Sequence, residues 1–187
     1  MIGNDIIDLK LANIQSNWQR KGFLQKLFTA EEQKFISNAV DSEFNLWLLW
    51  SMKEAVYKSV QRKYKLNRFF DPKQFGCKVF QLYNDEARGA VCFKNEFFET
   101  TSIYSSAKVH TYAANTEFTF VSESENTRFR FLAKISEQLE IPLESLNISK
   151  NKQGIPFLTY GGDNLQIPFS LSHHGRYSAY AFSLNLS

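Results

Sequence analysis

The sequence predicts an α+β fold, and three observations lead there. A capping box at Thr29 opens one helix, about 29–39, and apolar residues at helical spacing mark a longer one, about 42–63. From about 75 to 122, aromatic or β-branched residues alternate with polar ones, as in several short antiparallel strands. Near the end, His174-Gly175-Arg176 separates two strand-like runs, as the glycine turn of a hairpin does. At 187 residues the chain is long enough to bury a core without disulfide or metal staples. Its 18 Phe, 8 Tyr and 3 Trp predict a core of large rings with strand-rich surroundings.

The elements follow in order. Ile2 to Leu9 reads as a strand whose period of two puts Asp5 on one face with Ile7 and Leu9, and Asp8 on the other with Ile2 and Ile6. Asp5 is therefore an acid on an apolar face. Thr29 and Glu32 form a capping box that starts the first helix, which is expected to run to about Ala39. The second helix, about Ser42 to Lys63, has Leu46, Leu49, Trp50, Val56 and Tyr57 in register and ends in a basic cluster, Arg62, Lys63, Lys65 and Arg68, bounded by Pro72. After the predicted sheet, Ser122 to Thr127 is polar and is the best linker between halves. A third helix is expected over about Arg128 to Leu139, stopped before Pro142. Strands near Leu146–Ser149, Pro168–Ser172 and Ser178–Leu184 complete the reading.

Composition excludes several classes. Hydrophobic residues make up 43% and charged residues 22%, so neither a disordered chain nor a coiled coil fits. A net charge of +3 falls short of a dedicated nucleic-acid binder but allows an anionic ligand or an acidic partner. Cys77 and Cys92 lack the paired spacing of a zinc site and cannot form a disulfide framework, which points to a reducing compartment. The densest apolar run, Leu46 to Trp50, is too short to span a bilayer, and no signal peptide precedes Asp5; the expectation is a cytoplasmic protein with no membrane partner.

Two groups of residues carry the chemistry. In Trp50-Ser51-Met52-Lys53-Glu54-Ala55-Val56-Tyr57-Lys58, Glu54 and Lys58 lie one turn apart on a helix. An exposed ion pair is one reading. The aromatic flanks favour the other, a half-buried carboxylate that needs a cation or metal, as a working acid does. Asp5 alone is more often read as a satisfied structural acid than as a ligand. Together, Asp5 and Glu54 offer two hard oxygen ligands from different elements, which suits a Mg²⁺ ion that completes its octahedron with water and phosphate. The second group, Ser170-Leu171-Ser172-His173-His174-Gly175-Arg176-Tyr177, is either an ordinary polar turn or a phosphate cradle. No Walker loop, dinucleotide fingerprint or nucleophile elbow is present.

In this order the segments resemble the 4′-phosphopantetheinyl transferase superfamily. Gly3-Asn4-Asp5-Ile6-Ile7-Asp8 is similar to its Gly-x-Asp-Ile strand, Trp50 to Lys58 to its Trp-Ser-x-Lys-Glu-x-x-x-Lys helix, Ser172 to Tyr177 to its Ser-His-Ser-Gly-Arg-Trp hairpin, and Phe28-Thr29-Ala30-Glu31-Glu32 to its Phe-Thr-x-x-Glu helix start. The helix motif is the specific one. The motif order resembles the short holo-acyl-carrier-protein-synthase type, whereas the length resembles the long surfactin-synthetase-activating type. The implied fold is a phosphopantetheinyl-transferase-like pair of halves, residues 1–122 and 123–187, each with a small antiparallel sheet on a long helix and related by a pseudo-twofold axis, as in a circularly permuted pseudodimer. A monomer is expected.

The resemblance implies transfer of the 4′-phosphopantetheine arm of CoA to a serine of an apo acyl or peptidyl carrier protein, with release of 3′,5′-ADP. It implies Mg²⁺ held by Asp5 and Glu54, with Glu54 or Lys58 as base, and Lys53, Ser172, His173 and Arg176 on the CoA phosphates. Two departures stand out. Ile7 occupies the place of the long type's second acid. Gly154-Ile155-Pro156 stands where the family has Gly-Lys-Pro, so either Lys152 or a helix cation such as Arg128 substitutes, or CoA binds more weakly. Arg62, Lys63, Lys65 and Arg68 are the expected steering surface for an acidic carrier. A CoA-binding protein without transferase activity is one rival, separated from an enzyme by incubation with an apo carrier. An RNA-binding module using aromatic strands is the other, and it requires steep salt dependence.

Overall fold

A computed structural model describes residues 1–114, 119–123 and 125–184, with the backbone alone for 119–122. The chain opens with strand β1 (Ile2–Asp8), followed by helices α1 (Leu9–Gln15), α2 (Phe23–Leu27), α3 (Ala30–Ser37) and α4 (Ser42–Tyr64). Strands β2 (Gly76–Leu82), β3 (Glu86–Phe93), β4 (Glu96–Tyr104) and β5 (Lys108–Ala114) follow, then β6 (Thr119–Glu123) and α5 (Thr127–Leu139). The chain continues through β7 (Leu146–Lys150), β8 (Pro156–Tyr160), β9 (Asp163–Asn164), β10 (Phe169–His174) and β11 (Tyr177–Ser183). The sheets have orders β1-β5-β4-β3-β2, β10-β11-β6 and β7-β8-β9, and every pairing is antiparallel.

The longer elements form where periodicity and caps place them. The Thr29 hydroxyl accepts from the Glu32 amide and the Glu32 carboxylate accepts from the Thr29 amide, so α3 starts on a complete capping box. Asp41 caps α4 by accepting from Phe44 N at 2.8 Å, and Lys65 ends it in the left-handed conformation. Three differences from the sequence reading concern short or non-local features. Asp8 ends β1 and caps α1 through Leu11 N at 3.2 Å, so Leu9 begins a helix instead of extending the strand. The brief helix α2 and strands β8 and β9 carry too few residues for a period to show. Strand β6, expected in the first sheet, pairs with β11, with Ala181 opposite Val121. Residues 115–118, inside the expected sheet, and Ser124, inside the expected linker, lie outside the described residues.

Two apolar clusters result. One packs α4 against the five-stranded sheet, with Phe28, Leu46, Leu48, Met52, Val56 and Val91 at its centre. The other packs α5 against β8, β10 and β11, where Phe131 and Phe169 stack at 4.6 Å.

Strand β1 joins them. Its inner edge pairs with β5 from Ile2–Ala114 to Asp8–Lys108. Among the described residues the opposite edge has no partner strand, and side chains reach it instead. Asn4 N donates to Ser170 Oγ at 3.0 Å and Asp8 N to His174 Nδ1 at 3.0 Å, both from β10. From α4, Lys58 Nζ donates to Asn4 O at 2.8 Å and Arg62 Nη1 to Ile2 O at 3.0 Å. The spacings match, because one helical turn separates Lys58 from Arg62 and two strand residues separate the carbonyls they reach. Four amides and carbonyls of this edge, at Ile2, Asn4 and Asp8, are thus paired without a further strand.

The face of β1 that carries Gly3 and Asp5 lies directly on α4. A Cβ at Gly3 would sit 2.0 Å from Ala55 O and 2.7 Å from Ser59 N, both immovable backbone atoms. Substitution Gly3→Ala is expected to lower the unfolding free energy by at least about 2 kcal/mol. Gly76→Ala, where a Cβ meets nothing within 4 Å, is expected to change it little. Urea unfolding of both variants measures the contrast; equal stabilities would refute the close approach.

Candidate active site

A cavity of ≈ 450 Å³ opens between β1, α1, α2, α4 and the hairpin of β10 and β11. Asp5 from β1, Glu54 from α4 and His173 and His174 from β10 occupy one wall, while Ala12, Phe23, Leu27, Trp47 and Trp50 form an apolar one. Strand periodicity splits the hairpin motif. Alternate residues Ser170, Ser172 and His174 turn towards β1, and His173, between them, is exposed at the cavity.

The electrostatics are set by two carboxylates facing one space. Glu54 is pushed up to about 7, first by burial and then by the nearby Asp5 charge, with Lys58 and Arg68 only partly opposing. The exposed Glu54–Lys58 ion pair, the reading that the aromatic flanks disfavour, does not form. Lys58 Nζ instead lies 3.0 Å from Asp5 Oδ1 and donates to Asn4 O. Glu54 makes no hydrogen bond or ion pair among the described residues. His174 accepts from Asp8 N through Nδ1, which leaves Nε2 to donate to Gln15 Oε1 at 3.2 Å.

Other expected contacts lie elsewhere. Lys53 is fully buried, and its ammonium donates to Glu32 Oε2 at 2.8 Å, Pro72 O at 2.9 Å and Phe75 O at 2.7 Å. With all three donors used inside the core, Lys53 is a structural residue and not a phosphate contact. Adjacent helix positions point about 100° apart, so Lys53 faces α3 and β2 while Glu54 faces β1. The Ser172 hydroxyl accepts from Asn4 Nδ2 at 2.9 Å and is buried in the seam. Arg176 stands over the Tyr177 ring, 3.6 Å from Asp8 Oδ2, beside a separate depression lined by Asp8, Lys10, Leu11, Ile14 and Gly175. Lys152 is exposed in the turn between β7 and β8 and does not line the cavity. Arg128 donates to Ile148 O at 3.4 Å. Of the basic run at the end of α4, Arg62 is drawn into the edge of β1 and Lys63 pairs with Glu96, whereas Lys65 and Arg68 stay exposed.

Some functional candidates escaped the sequence reading. Trp47, one turn before Trp50, lines the cavity with its indole N–H unpartnered among the described residues. Its spacing from Trp50 and Glu54 was a visible signal for a shared helix face. Gln15 belongs to the short helix whose start the strand reading absorbed.

A family model for the 4′-phosphopantetheinyl transferase superfamily matches residues 1–117, more than half of the chain. The chain belongs to this superfamily. The matched span contains β1 and α4, hence Asp5, Glu54 and Lys58, and ends before the hairpin that carries His173. Among solved structures, holo-[acyl-carrier-protein] synthase from Thermotoga maritima is similar at a TM-score of 0.44 and 9% identity, covering 88% of this chain and 84% of that chain. No curated protein matches. No helix among the described residues is long and apolar enough to cross a membrane.

Among the described residues, no three His, Cys, Asp or Glu side chains cluster closely enough to hold a metal ion by themselves. The donor set nevertheless fits the divalent cation of a phosphopantetheinyl transferase. Two hard carboxylates from separate elements, one lacking a cation of its own, leave the remaining positions to water and phosphate.

Two predictions follow from these surroundings. Lys53→Met leaves Glu32 buried without its cation, and the expected loss of stability is about 3–5 kcal/mol by urea unfolding; a change under about 1 kcal/mol would contradict the buried role. Glu54 binds its proton more tightly in the folded protein than in the unfolded chain, so its stabilising contribution is complete below pH 4.5 and is lost as pH rises through about 7. In chelator, Glu54→Gln is therefore expected to gain on the order of 2 kcal/mol over wild type between pH 5 and pH 8. Urea titrations at the two pH values check this, and parallel behaviour would refute the carboxylate repulsion.

Proposed function

We propose that the protein transfers the 4′-phosphopantetheine arm of CoA to a serine hydroxyl of an apo acyl or peptidyl carrier protein, releasing 3′,5′-ADP. The observation that carries this reading is the meeting of Asp5, Glu54 and His173 in one cavity of a superfamily member. Asp5 and Glu54 would hold Mg²⁺, which when bound neutralises the CoA diphosphate and the leaving phosphate.

This chain's side chains then divide the work. Lys58 is held as a donor by Asn4 O and Asp5 Oδ1, so it acts as a cation that fixes the Asp5 carboxylate. Glu54, free of any such donor, accepts the proton of the serine hydroxyl as its oxygen attacks the pantetheine-side phosphorus in line. His173, exposed at the cavity, contacts the phosphates. The apolar wall of Phe23, Leu27, Trp47 and Trp50 shields the reacting groups from water. Lys10, Arg20, Lys21 and Lys26 are exposed on the α1–α2 segment that borders this wall, a basic approach for an acidic carrier helix.

Incubation with CoA, Mg²⁺ and a set of apo carriers is expected to add the phosphopantetheine mass to one serine. Glu54→Gln is expected to reduce the rate at least about 100-fold while the circular dichroism spectrum stays unchanged. CoA binding with no mass shift on any carrier would make the protein a CoA binder and not a transferase. Full activity in Glu54→Gln would remove Glu54 from the mechanism.

A further inference from the structure

Asn4 precedes the metal-site aspartate and is fully buried, yet it is polar. Its Nδ2 donates to Ser172 Oγ on β10 at 2.9 Å and approaches His110 Nε2 on β5 at 3.3 Å. His110 is buried, which with the charges of Lys108 and Lys58 pushes its pKa down to about 4, and because the Asn4 Nδ2 group can only donate, Nε2 is the acceptor. The Asn4 Oδ1 atom has no partner among the described residues. A buried, half-satisfied amide is a costly way to fill space, and an apolar side chain facing apolar partners would avoid the penalty. Packing alone does not explain it.

The backbone of the same residue meets the reacting groups. Asn4 O accepts from Lys58 Nζ, and that ammonium also holds Asp5 Oδ1. Asn4 N donates to Ser170 Oγ. One residue thus links β10, β5, the α4 lysine and the strand that carries Asp5.

We propose that Asn4 is a positioning residue whose side-chain amide, clamped between Ser172 and His110, fixes the edge of β1 so that Lys58 keeps the Asp5 carboxylate in its cation-holding geometry. The inference rests on the reading of Asp5 and Glu54 as cation ligands. Removal of such an outer partner typically weakens metal binding 10- to 100-fold.

The test is Mn²⁺ binding, followed by electron paramagnetic resonance, in the full chain and its Asn4→Leu, Ser172→Ala, double and Asp5→Asn variants, with thermal melts of each. Asn4→Leu is expected to bind Mn²⁺ at least about 10-fold more weakly while folded, Ser172→Ala to shift in the same direction by less, and the double variant to match Asn4→Leu. A lowered melting temperature with wild-type Mn²⁺ affinity would make Asn4 merely structural and overturn the proposal. If Asn4→Leu does not fold, Ser172→Ala decides, and wild-type affinity in it overturns the clamp. Loss of binding in Asp5→Asn together with full binding in Asn4→Leu defeats the Asn4 role alone. Wild-type binding in Asp5→Asn, or none in the wild type, defeats the cation reading and the Asn4 role with it.

Discussion

The satisfaction of the open edge of β1 is the constraint on which the rest of the molecule depends. A strand with unpaired amides and carbonyls must find partners or stay wet. Here a serine and a histidine of β10 and two cations of α4 take backbone positions that a neighbouring strand would fill. The arrangement presses β1 between helix and hairpin, which brings Asp5, Glu54 and His173 to one cavity. Architecture and chemistry therefore share residues. Lys58 closes the edge and holds Asp5 with a single ammonium.

The charge balance of the cavity follows from this use of cations. Neither lysine nor arginine is among the residues that line it, while two carboxylates and two imidazoles are. Lys53 is drawn inward by Glu32, whose carboxylate also caps α3 and accepts from Cys77 N at 2.6 Å. That one carboxylate fastens α3, α4 and β2 together, and its cation cannot serve a ligand as well. The walls alone therefore offer a diphosphate little attraction, which makes the bridging role of a divalent cation central to the proposed chemistry.

How much of this was legible in the sequence depended on distance along the chain. Asp5 on an apolar face, the Thr29–Glu32 box and the long helix with Glu54 were local patterns with a period, and the structure has each of them. The alternation Ser170, Ser172, His174 against His173 was equally local, but its meaning depended on knowing that β1 lay opposite. Lys53 was misjudged because its partners Glu32, Pro72 and Phe75 come together only through tertiary packing. The pairing of β6 with β11 spans half a hundred residues and more, with no turn to announce it. Arg62 read as a surface charge because nothing near it in sequence predicted a carbonyl at Ile2.

The hairpin tip gives these contacts their sharpest geometry. Gly175 has φ +56°, and a Cβ there would lie 2.6 Å from Asp8 Oδ2, so only glycine lets the tip seat on the first helix. The partners that meet there, Asp8 with Arg176, are 168 positions apart. During synthesis the amides of the opening strand's edge must then wait for β10, while α4 can reach its carbonyls early. Its maturation is completed only by β10, and a product interrupted before it would present unpaired amides to whatever strand it met.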